Sequence, residues 1–189
     1  MTCIAGVITP HKKIVMAADS GNNDGFGAYT ILKNQKKIFQ TPNGMIIGVA
    51  GSSRIGQILN HDFDPPTDKH KDPFLYLLKE FIPALKEKLQ EENLVDDHKM
   101  KYDSSLLIGY KGRLFRVGED YDIIESNDNY DAIGSGRYDA RGALYALKQT
   151  KTLSCEKMVK TAVSAAINAD VNIKPPIIIE YTNKIIYIL

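Results

Sequence analysis

The second residue of the chain is a threonine, which would become the first residue if Met1 were removed. Small second residues generally permit that removal. A terminal threonine carries a hydroxyl and a free α-amine in one residue. The amine, whose ordinary pKa is about 7.7–8.0, can accept the hydroxyl proton as a general base. Thr2 is therefore a candidate nucleophile, although Met1-Thr2 alone is equally the ordinary start of a strand.

Five further residues stand at the ends of predicted strands or helices, where loops could bring side chains together. They are Asp19 after the second strand, Lys37 at the start of the third, Gly51 after the fourth, Ser135 between two glycines, and Asp170 after the last helix. Each has a structural explanation of its own, as a turn cap, a solvated strand end, a helix-entry glycine or an acceptor for loop amides. Their joint occurrence in this order favours one common site.

In this order the motifs resemble those of the proteasome β-subunits and, more closely, of the bacterial HslV peptidase. The matching segments are the Thr-initiated strand, Ala17-Ala18-Asp19, Lys36-Lys37-Ile38, Gly48-Val49-Ala50-Gly51, Ala132-Ile133-Gly134-Ser135-Gly136 and Ala169-Asp170. Gly51 lies 14 positions after Lys37, and this separation equals the family spacing. A still closer likeness is to small proteasome-like proteins of phage and actinobacterial genomes, which share the opening Met-Thr-Cys-Ile.

The resemblance implies an N-terminal-nucleophile hydrolase in which Thr2 attacks a peptide carbonyl and forms an acyl-enzyme. Lys37 would lower the pKa of the hydroxyl and of the α-amine. Asp19 would pair with Lys37, because an unpartnered buried ammonium is costly. The backbone N–H of Gly51 would donate to the oxyanion. The resemblance assigns to Ser135 and Asp170 hydrogen bonds around the amine and its water.

The resemblance also implies partners: copies of the chain itself in a homo-oligomeric ring, an ATP-dependent unfoldase, and a peptide or unfolded protein as substrate. Two departures from the family pattern are visible. Asp19 and Lys37 lie 18 positions apart, slightly more than the family norm, which predicts an insertion in the loop between them. Ile173 stands where many proteasome subunits have a serine.

Two alternative functions stay open. An unprocessed Met1 would block the α-amine of Thr2, and this together with Ile173 favours a catalytically inactive assembly or binding protein with the same fold. The other alternative is an amide hydrolase or transpeptidase that uses the same N-terminus on a specific small substrate. Labelling by a threonine-directed probe separates the first alternative from the enzymes.

Other residues of reactive or metal-binding type are interpreted as structural. Cys3 carries a stronger nucleophile than a hydroxyl, but strand alternation turns it away from the side of Thr2. The His- and Asp-containing segment 61–72 has two prolines and alternating lysines, which indicate a solvated loop rather than a metal site. No cofactor is predicted, since Gly134–Gly142 lacks the Gly-x-Gly-x-x-Gly spacing. The resemblance implies at most a cation on carbonyls near Ala169, Asn172 and Pro175.

Composition limits the class of protein. The chain has 189 residues, 43% of them hydrophobic, which suits one domain over residues 1–189. Its 24 basic and 23 acidic residues nearly balance, and no basic stripe interleaved with aromatics suggests nucleic acid. No apolar run is long enough for a bilayer, no signal peptide is apparent, and two cysteines make no disulfide framework. These features predict a cytoplasmic protein without a membrane partner.

Alternation, turn residues and capping predict the elements that position the candidate residues. The predicted strands are Thr2–Val7, Ile14–Ala18, Lys37–Phe39, Gly44–Ala50, Ser104–Tyr110, Arg113–Val117, Asn129–Ile133, Ile177–Tyr181 and Lys184–Ile188. The predicted helices are Ser53–Leu59 (capped by Ser52 or Ser53), Pro73–Glu92 with a kink at Pro83, Tyr138–Lys148, and Cys155–Asn168 capped by Ser154. Gly21–Gly27 and 93–103 are predicted to be loops.

Most of these strands are joined as hairpins, so the sheets should be mainly antiparallel. Two pairs of helices lie between the hairpins and can each cover one sheet. The sequence therefore predicts an α+β fold, a four-layer αββα sandwich of two mainly antiparallel sheets. The Pro73–Glu92 helix is expected to form a contact face of the ring.

Overall fold

The computed structural model describes residues 1–23, 29–31, 36–150 and 152–182. In chain order its strands are Ile4–Ile8 (β1), Ile14–Ala18 (β2), Gly21–Asn23 (β3), Tyr29–Ile31 (β4), Ile38–Gln40 (β5), Ile46–Ala50 (β6), Val95–Asp96 (β7), Lys99–Met100 (β8), Ser105–Tyr110 (β9), Arg113–Val117 (β10), Ile123–Glu125 (β11), Tyr130–Ile133 (β12) and Ile178–Tyr181 (β13). The helices are Ser53–His61 (α1), Pro73–Tyr76 (α2), Ile82–Glu91 (α3), Arg137–Thr150 (α4) and Cys155–Ala169 (α5), and a π-helical turn, Leu77–Phe81, joins α2 to α3.

Within the described residues, two antiparallel sheets are stacked face to face. One has the strand order β12-β1-β2-β13 and the other the order β11-β10-β9-β6-β5. The strand β1 lies in the middle of the first sheet, where Ile4 is paired with Ala18 of β2 and with Ile133 of β12. The chain therefore starts at one end of a central strand, which places Thr2 at the end of the sandwich.

Side-chain alternation along each strand builds the layers. On β2, Ile14, Met16 and Ala18 pack between the two sheets, whereas Val15 and Ala17 face α4 and α5. The outer face of the second sheet is covered by α1 and the α2–α3 helix in the same way. Because successive strand residues point to opposite faces, one run of apolar residues fills two cores. The predicted four-layer αββα sandwich is confirmed.

The hydrogen-bond pattern of the predicted Pro73–Glu92 helix changes in the turn before Pro83. Asp72 caps α2 by accepting from Phe74 N, and Pro73 occupies the first turn as predicted. In the following π-helical turn the Ile82 N–H donates to the carbonyl of Leu77, five residues back. Pro83 then stands at the second position of α3, directly after the π-helical turn, and has no N–H to donate along the helix.

Three local predictions differ from the structure. Gly21–Asn23, predicted as loop, forms β3, which pairs with β4, while residues 24–28 lie outside the described residues. The predicted loop 93–103 contains the short ribbon β7–β8. The strand β11 was not predicted. In all three places backbone pairing with a neighbouring strand outweighs weak local strand propensity.

The third predicted hairpin is described only in its first strand. Strand β13 pairs antiparallel with β2 and forms one edge of the first sheet. The second strand of that hairpin, Lys184–Ile188, lies outside the described residues. No helix among the described residues has the length and apolar character needed to cross a bilayer.

Candidate active site

Thr2 lies just before β1, at the open end of the sandwich, and is only 8% exposed. Its backbone N–H donates to the Ser135 hydroxyl at 3.2 Å, and its own hydroxyl donates to the Met1 carbonyl at 2.8 Å. The nitrogen that is hydrogen-bonded to Ser135 becomes the α-amine when Met1 is removed. Ser135 therefore lies within hydrogen-bond distance of the Thr2 nitrogen.

Asp19 and Lys37 form a buried ion pair beside Thr2. The Lys37 Nζ lies 2.9 Å from Asp19 Oδ1, and the two side chains are 9% and 0% exposed. Asp19 stands directly after β2 and Lys37 directly before β5, so the two sheets each supply one partner. The same Nζ donates to the Met1 carbonyl at 3.2 Å. The cation therefore sits next to the peptide bond that precedes Thr2.

Backbone donors complete the hydrogen bonding of the Asp19 carboxylate. Oδ1 also accepts from the N–H of Cys3 at 3.0 Å. Oδ2 accepts from the N–H groups of Gly21 and Lys174 at 3.1 and 3.3 Å. These bonds hold the carboxylate in one orientation. Burial lowers the pKa of the Lys37 ammonium, and the attraction of Asp19 opposes that shift.

Gly51 follows β6 with φ of +99°, a conformation that favours glycine. A Cβ at this position would lie 2.5 Å from Ser104 Oγ and 2.6 Å from Ser104 Cα. The chain turns here and enters α1, whose N-cap Ser52 accepts from the N–H of Ile55. Both the turn and the close approach to β9 require the absence of a side chain.

The Gly134-Ser135-Gly136 segment lies against the backbone of Thr2. A Cβ on Gly134, where φ is +87°, would collide with the Thr2 carbonyl oxygen. That carbonyl accepts from the N–H of Gly136 at 3.2 Å. The two glycines allow the segment to approach Thr2 closely enough for the Ser135 hydroxyl to reach its nitrogen.

Comparison with known proteins finds relatives that match most of the chain. No protein-family model matches the chain. The ATP-dependent protease subunit HslV of Caldicellulosiruptor saccharolyticus is 27% identical over 157 residues, which cover 82% of this chain and 84% of the relative. The solved structure of Thiobacillus denitrificans BPH in complex with epoxomicin matches with a TM-score of 0.77 and 23% identity over 95% of this chain and 97% of that one. HslV from Trypanosoma brucei matches with a TM-score of 0.69 and 21% identity, covering 95% and 98%.

The chain is similar over most of its length to the proteasome β-subunit and HslV-like N-terminal-nucleophile hydrolases. Its α+β sandwich is the proteasome-like fold of that family. The solved structures, at 21–23% identity, show the fold alone. The likeness to these structures therefore assigns no role to individual residues of this chain, and such roles must be argued from the contacts around Thr2.

Asp170 lies at the carboxyl end of α5, where its contacts are local. Its Oδ1 accepts from the N–H and the side-chain amide of Asn172 at 2.8 and 2.9 Å. Among the contacts of the described residues, none joins Asp170 directly to Thr2. The predicted role of Asp170 near the α-amine stays a prediction, as does the cation on the carbonyls near Ala169, Asn172 and Pro175.

Ile173 lies three positions after Asp170, at the place where many proteasome subunits have a serine. Ile173 is fully buried, and a Cβ on Gly136 would lie 2.5 Å from its Cδ1. Its backbone N–H donates to the carbonyl of Asp170 at 3.0 Å. An apolar side chain thus fills the space between the end of α5 and the glycine segment that contacts Thr2.

Cys3 points away from the cleft, into the core beneath α4 and α5, as strand alternation predicts. Burial raises the pKa of its thiol to about 12, and the Asp19 carboxylate adds to the shift. The thiolate, which is the nucleophilic form, is therefore strongly disfavoured.

The segment 61–72 uses its acidic side chains in structural contacts. Asp68 accepts from the Tyr110 hydroxyl at 2.8 Å and pairs with Lys111 at 2.6 Å, while Asp72 caps α2. His70 lies 3.2 Å from Glu80. In the described part of the chain, no group of three His, Cys, Asp or Glu side chains is arranged to hold a metal ion.

Two cavities meet at Thr2. A cleft of about 670 Å³ is lined by Thr2, Gly51 and Ser135, and extends to the charged turn 118–122. A smaller pocket of about 100 Å³ on the other side is lined by Thr2, Lys37 and Val49. Three of the predicted residues therefore share a space large enough for a short peptide.

Sequence reasoning missed several residues of the large cleft. Tyr102, Ser104 and Arg116 line it but come from the chain between 100 and 117, where only a loop and a hairpin were predicted. The polar run from Gly118 to Asp122 is a turn signal that could have marked a cleft wall. Ser104 carries no such signal, because its partner Ser52 is 52 positions away.

Proposed function

We propose that this protein is a threonine-type peptidase that cleaves peptide bonds through an acyl-enzyme on Thr2 after removal of Met1. The observation that carries the proposal is the position of the Lys37 ammonium. It is buried, paired with Asp19, and 3.2 Å from the carbonyl that precedes the Thr2 nitrogen. A cation at that place favours the deprotonated forms of both the hydroxyl and the α-amine.

The chemical steps follow from this arrangement. The α-amine of processed Thr2 accepts the hydroxyl proton as Oγ1 attacks the substrate carbonyl. The N–H of Gly51 donates to the developing oxyanion, an interaction typically worth about 2.7–4 kcal/mol in the transition state. The C–N bond breaks as the amine returns its proton to the leaving nitrogen. Water, deprotonated by the same amine, hydrolyses the ester and restores Thr2.

Assembly and partners are part of the proposal. The relative from Caldicellulosiruptor saccharolyticus is named a subunit of an ATP-dependent protease. By analogy we propose that this chain forms a homo-oligomeric ring in the cytoplasm and receives unfolded protein from an ATP-dependent unfoldase. Sequestering the cleft inside a ring would restrict it to chains that have already been unfolded.

The first test is the intact mass of the purified protein with and without an epoxyketone such as epoxomicin, with which the Thiobacillus denitrificans structure was solved. We expect loss of Met1 and one adduct per chain. Thr2→Ala should abolish the adduct, while Cys155→Ala, which removes the more exposed thiol, should retain it. Retained Met1 without an adduct would contradict the peptidase proposal and favour the assembly protein, which Ile173 also favours.

A further inference from the structure

We propose that Ser104 is a positioning residue that fixes the Gly51 peptide, and with it the oxyanion donor, for reaction at Thr2. This inference rests on the proposed function. Ser104 stands immediately before β9 and is fully buried. Its hydroxyl accepts from the N–H of Ser52 at 3.0 Å and donates to the carbonyl of Lys101 at 2.6 Å.

The first of these bonds holds the peptide that follows Gly51. Gly51 has no Cβ to restrict its backbone, so its two dihedral angles must be fixed by what lies on either side. On the amino side, Ala50 is paired with Ser105 in the β6–β9 ladder. On the carboxyl side, the Ser52 N–H is held by the Ser104 hydroxyl. With both flanking peptides fixed, the direction of the Gly51 N–H is fixed as well.

The second bond holds the turn that packs over Gly51. Tyr102 and Asp103 have φ of +63° and +47°, two consecutive residues in the left-handed region that side chains disfavour. The Tyr102 carbonyl oxygen would lie 2.9 Å from a Cβ on Gly51. The hydrogen bond from Ser104 to Lys101 closes this turn against Gly51. One hydroxyl thereby joins the turn after β6 to the turn before β9.

Loss of the hydroxyl should therefore lower the rate of reaction more than the binding of substrate. An oxyanion donor has to lie about 2.7–3.1 Å from the reacting oxygen, so a small rotation of the Gly51 peptide weakens it. Removal of such a donor typically costs about 100- to 1,000-fold in kcat. For Ser104→Ala, which misdirects the donor without deleting it, we expect a loss of about 10- to 100-fold in kcat with little change in KM.

The matched control is Thr41→Val. Thr41 is also buried, and its hydroxyl accepts from the N–H of Met45 and donates to Asn43, but it lies at the β5–β6 turn, at the opposite end of β6 from Gly51. Both variants remove a buried hydroxyl that bonds a backbone N–H. A purely structural effect would therefore appear in both.

The experiment measures kcat and KM of Met1-processed protein on a fluorogenic peptide, the rate of epoxyketone labelling, and exchange of the Ser52 amide by NMR. We expect Ser104→Ala to lose kcat and labelling rate per folded molecule and to exchange the Ser52 amide faster, while Thr41→Val does neither. Ser104→Thr, which keeps the hydroxyl, should recover most of the labelling rate.

Two results would overturn the inference. If wild-type protein reacts with the probe and Ser104→Ala matches Thr41→Val in kcat, the peptidase proposal stands and the role of Ser104 is wrong. If processed wild-type protein neither cleaves peptides nor accepts the probe, the peptidase proposal fails and the positioning role fails with it.

Discussion

The Lys37 ammonium contacts the Asp19 carboxylate on one side and the Met1 carbonyl on the other. A buried ion pair of this kind contributes little net stability, since desolvation of the two charges offsets their attraction. Three backbone N–H groups are nevertheless directed at the carboxylate. At the scale of single residues, the Asp19–Lys37 pair is better explained as a means of holding a cation beside Thr2 than as a means of stabilising the fold.

Replacing Lys37 with methionine should remove the cation and keep most of the side-chain volume. We expect the rate of Thr2 labelling to fall by about 100- to 1,000-fold, because the hydroxyl and amine lose the charge that favours their deprotonated forms. The free energy of unfolding should fall by up to about 3–5 kcal/mol, because Asp19 stays buried without its countercharge. Labelling kinetics and chemical denaturation measure the two effects.

The adjacent Lys36→Met is the matched control. Lys36 pairs with Glu180 at the surface, and its side chain is 58% exposed. An exposed pair contributes at most about 1 kcal/mol, so stability and labelling should both stay near the wild-type values. Equal labelling rates for the two variants would show that the Lys37 charge has no part in the chemistry.

At the scale of elements, the end of β6 decides where the cleft lies. The strand stops at Ala50, Gly51 turns the chain, and Ser52 caps α1. Because β6 pairs with β9, this turn is pressed against Ser104. The turn and the glycine segment 134–136 then border the cleft on two sides of Thr2.

Gly51→Ala should damage both stability and reaction. The new methyl would have to occupy space held by the Ser104 backbone, at a φ of +99°. A non-glycine residue in such a conformation costs about 1–3 kcal/mol, and the collision adds to that cost. We expect a lower melting temperature and, per folded molecule, a labelling rate lower by about 10-fold or more.

Gly44→Ala isolates the backbone contribution. Gly44 also has a positive φ, +83°, but nothing lies within 4 Å of a Cβ there, and it stands at the other end of β6. The Gly44→Ala variant should lose stability only through the cost of placing a non-glycine residue at a positive φ, and its labelling rate should stay unchanged. A labelling rate that falls equally in both variants would contradict the role given to the Gly51 turn.

At the scale of the whole molecule, the helix over the second sheet exposes two leucine side chains. Leu75 and Leu78 are 36% and 48% exposed, although neighbouring residues of the same helix are buried. Full burial of an exposed leucine is worth about 1.5–3 kcal/mol, and covering the exposed part of each of these two side chains contributes less than that. This agrees with the proposal that the Pro73–Glu92 helix contacts another copy in the ring.

Leu78→Asp should weaken the assembly without unfolding the chain. We expect native mass spectrometry to show a multiple of the 21.1 kDa chain for wild type and smaller species for the variant, because a charge in an apolar contact is costly. Leu153→Asp, at a residue that is also 36% exposed but precedes α5, should assemble normally. A monomeric wild type, or full assembly of Leu78→Asp, would contradict the proposal.

Local chemistry in the sequence determined much of this protein. Runs of apolar, β-prone residues predicted β1, β2 and β6, and the caps Ser52, Asp72 and Ser154 predicted the starts of three helices. These signals are readable because each depends on residues within one turn or one strand. The short motifs containing Thr2, Asp19, Lys37, Gly51 and Ser135 also predicted the family likeness. Of these residues Thr2, Gly51 and Ser135 line one cleft, and the Asp19–Lys37 pair lies beside Thr2.

Tertiary structure alone decided the contacts that join distant segments. Ser104 reaches Ser52, and Asp19 accepts from Lys174. Such contacts depend on how two sheets and four helical segments pack, and residues more than 50 positions apart leave no periodic or capping signal to predict them.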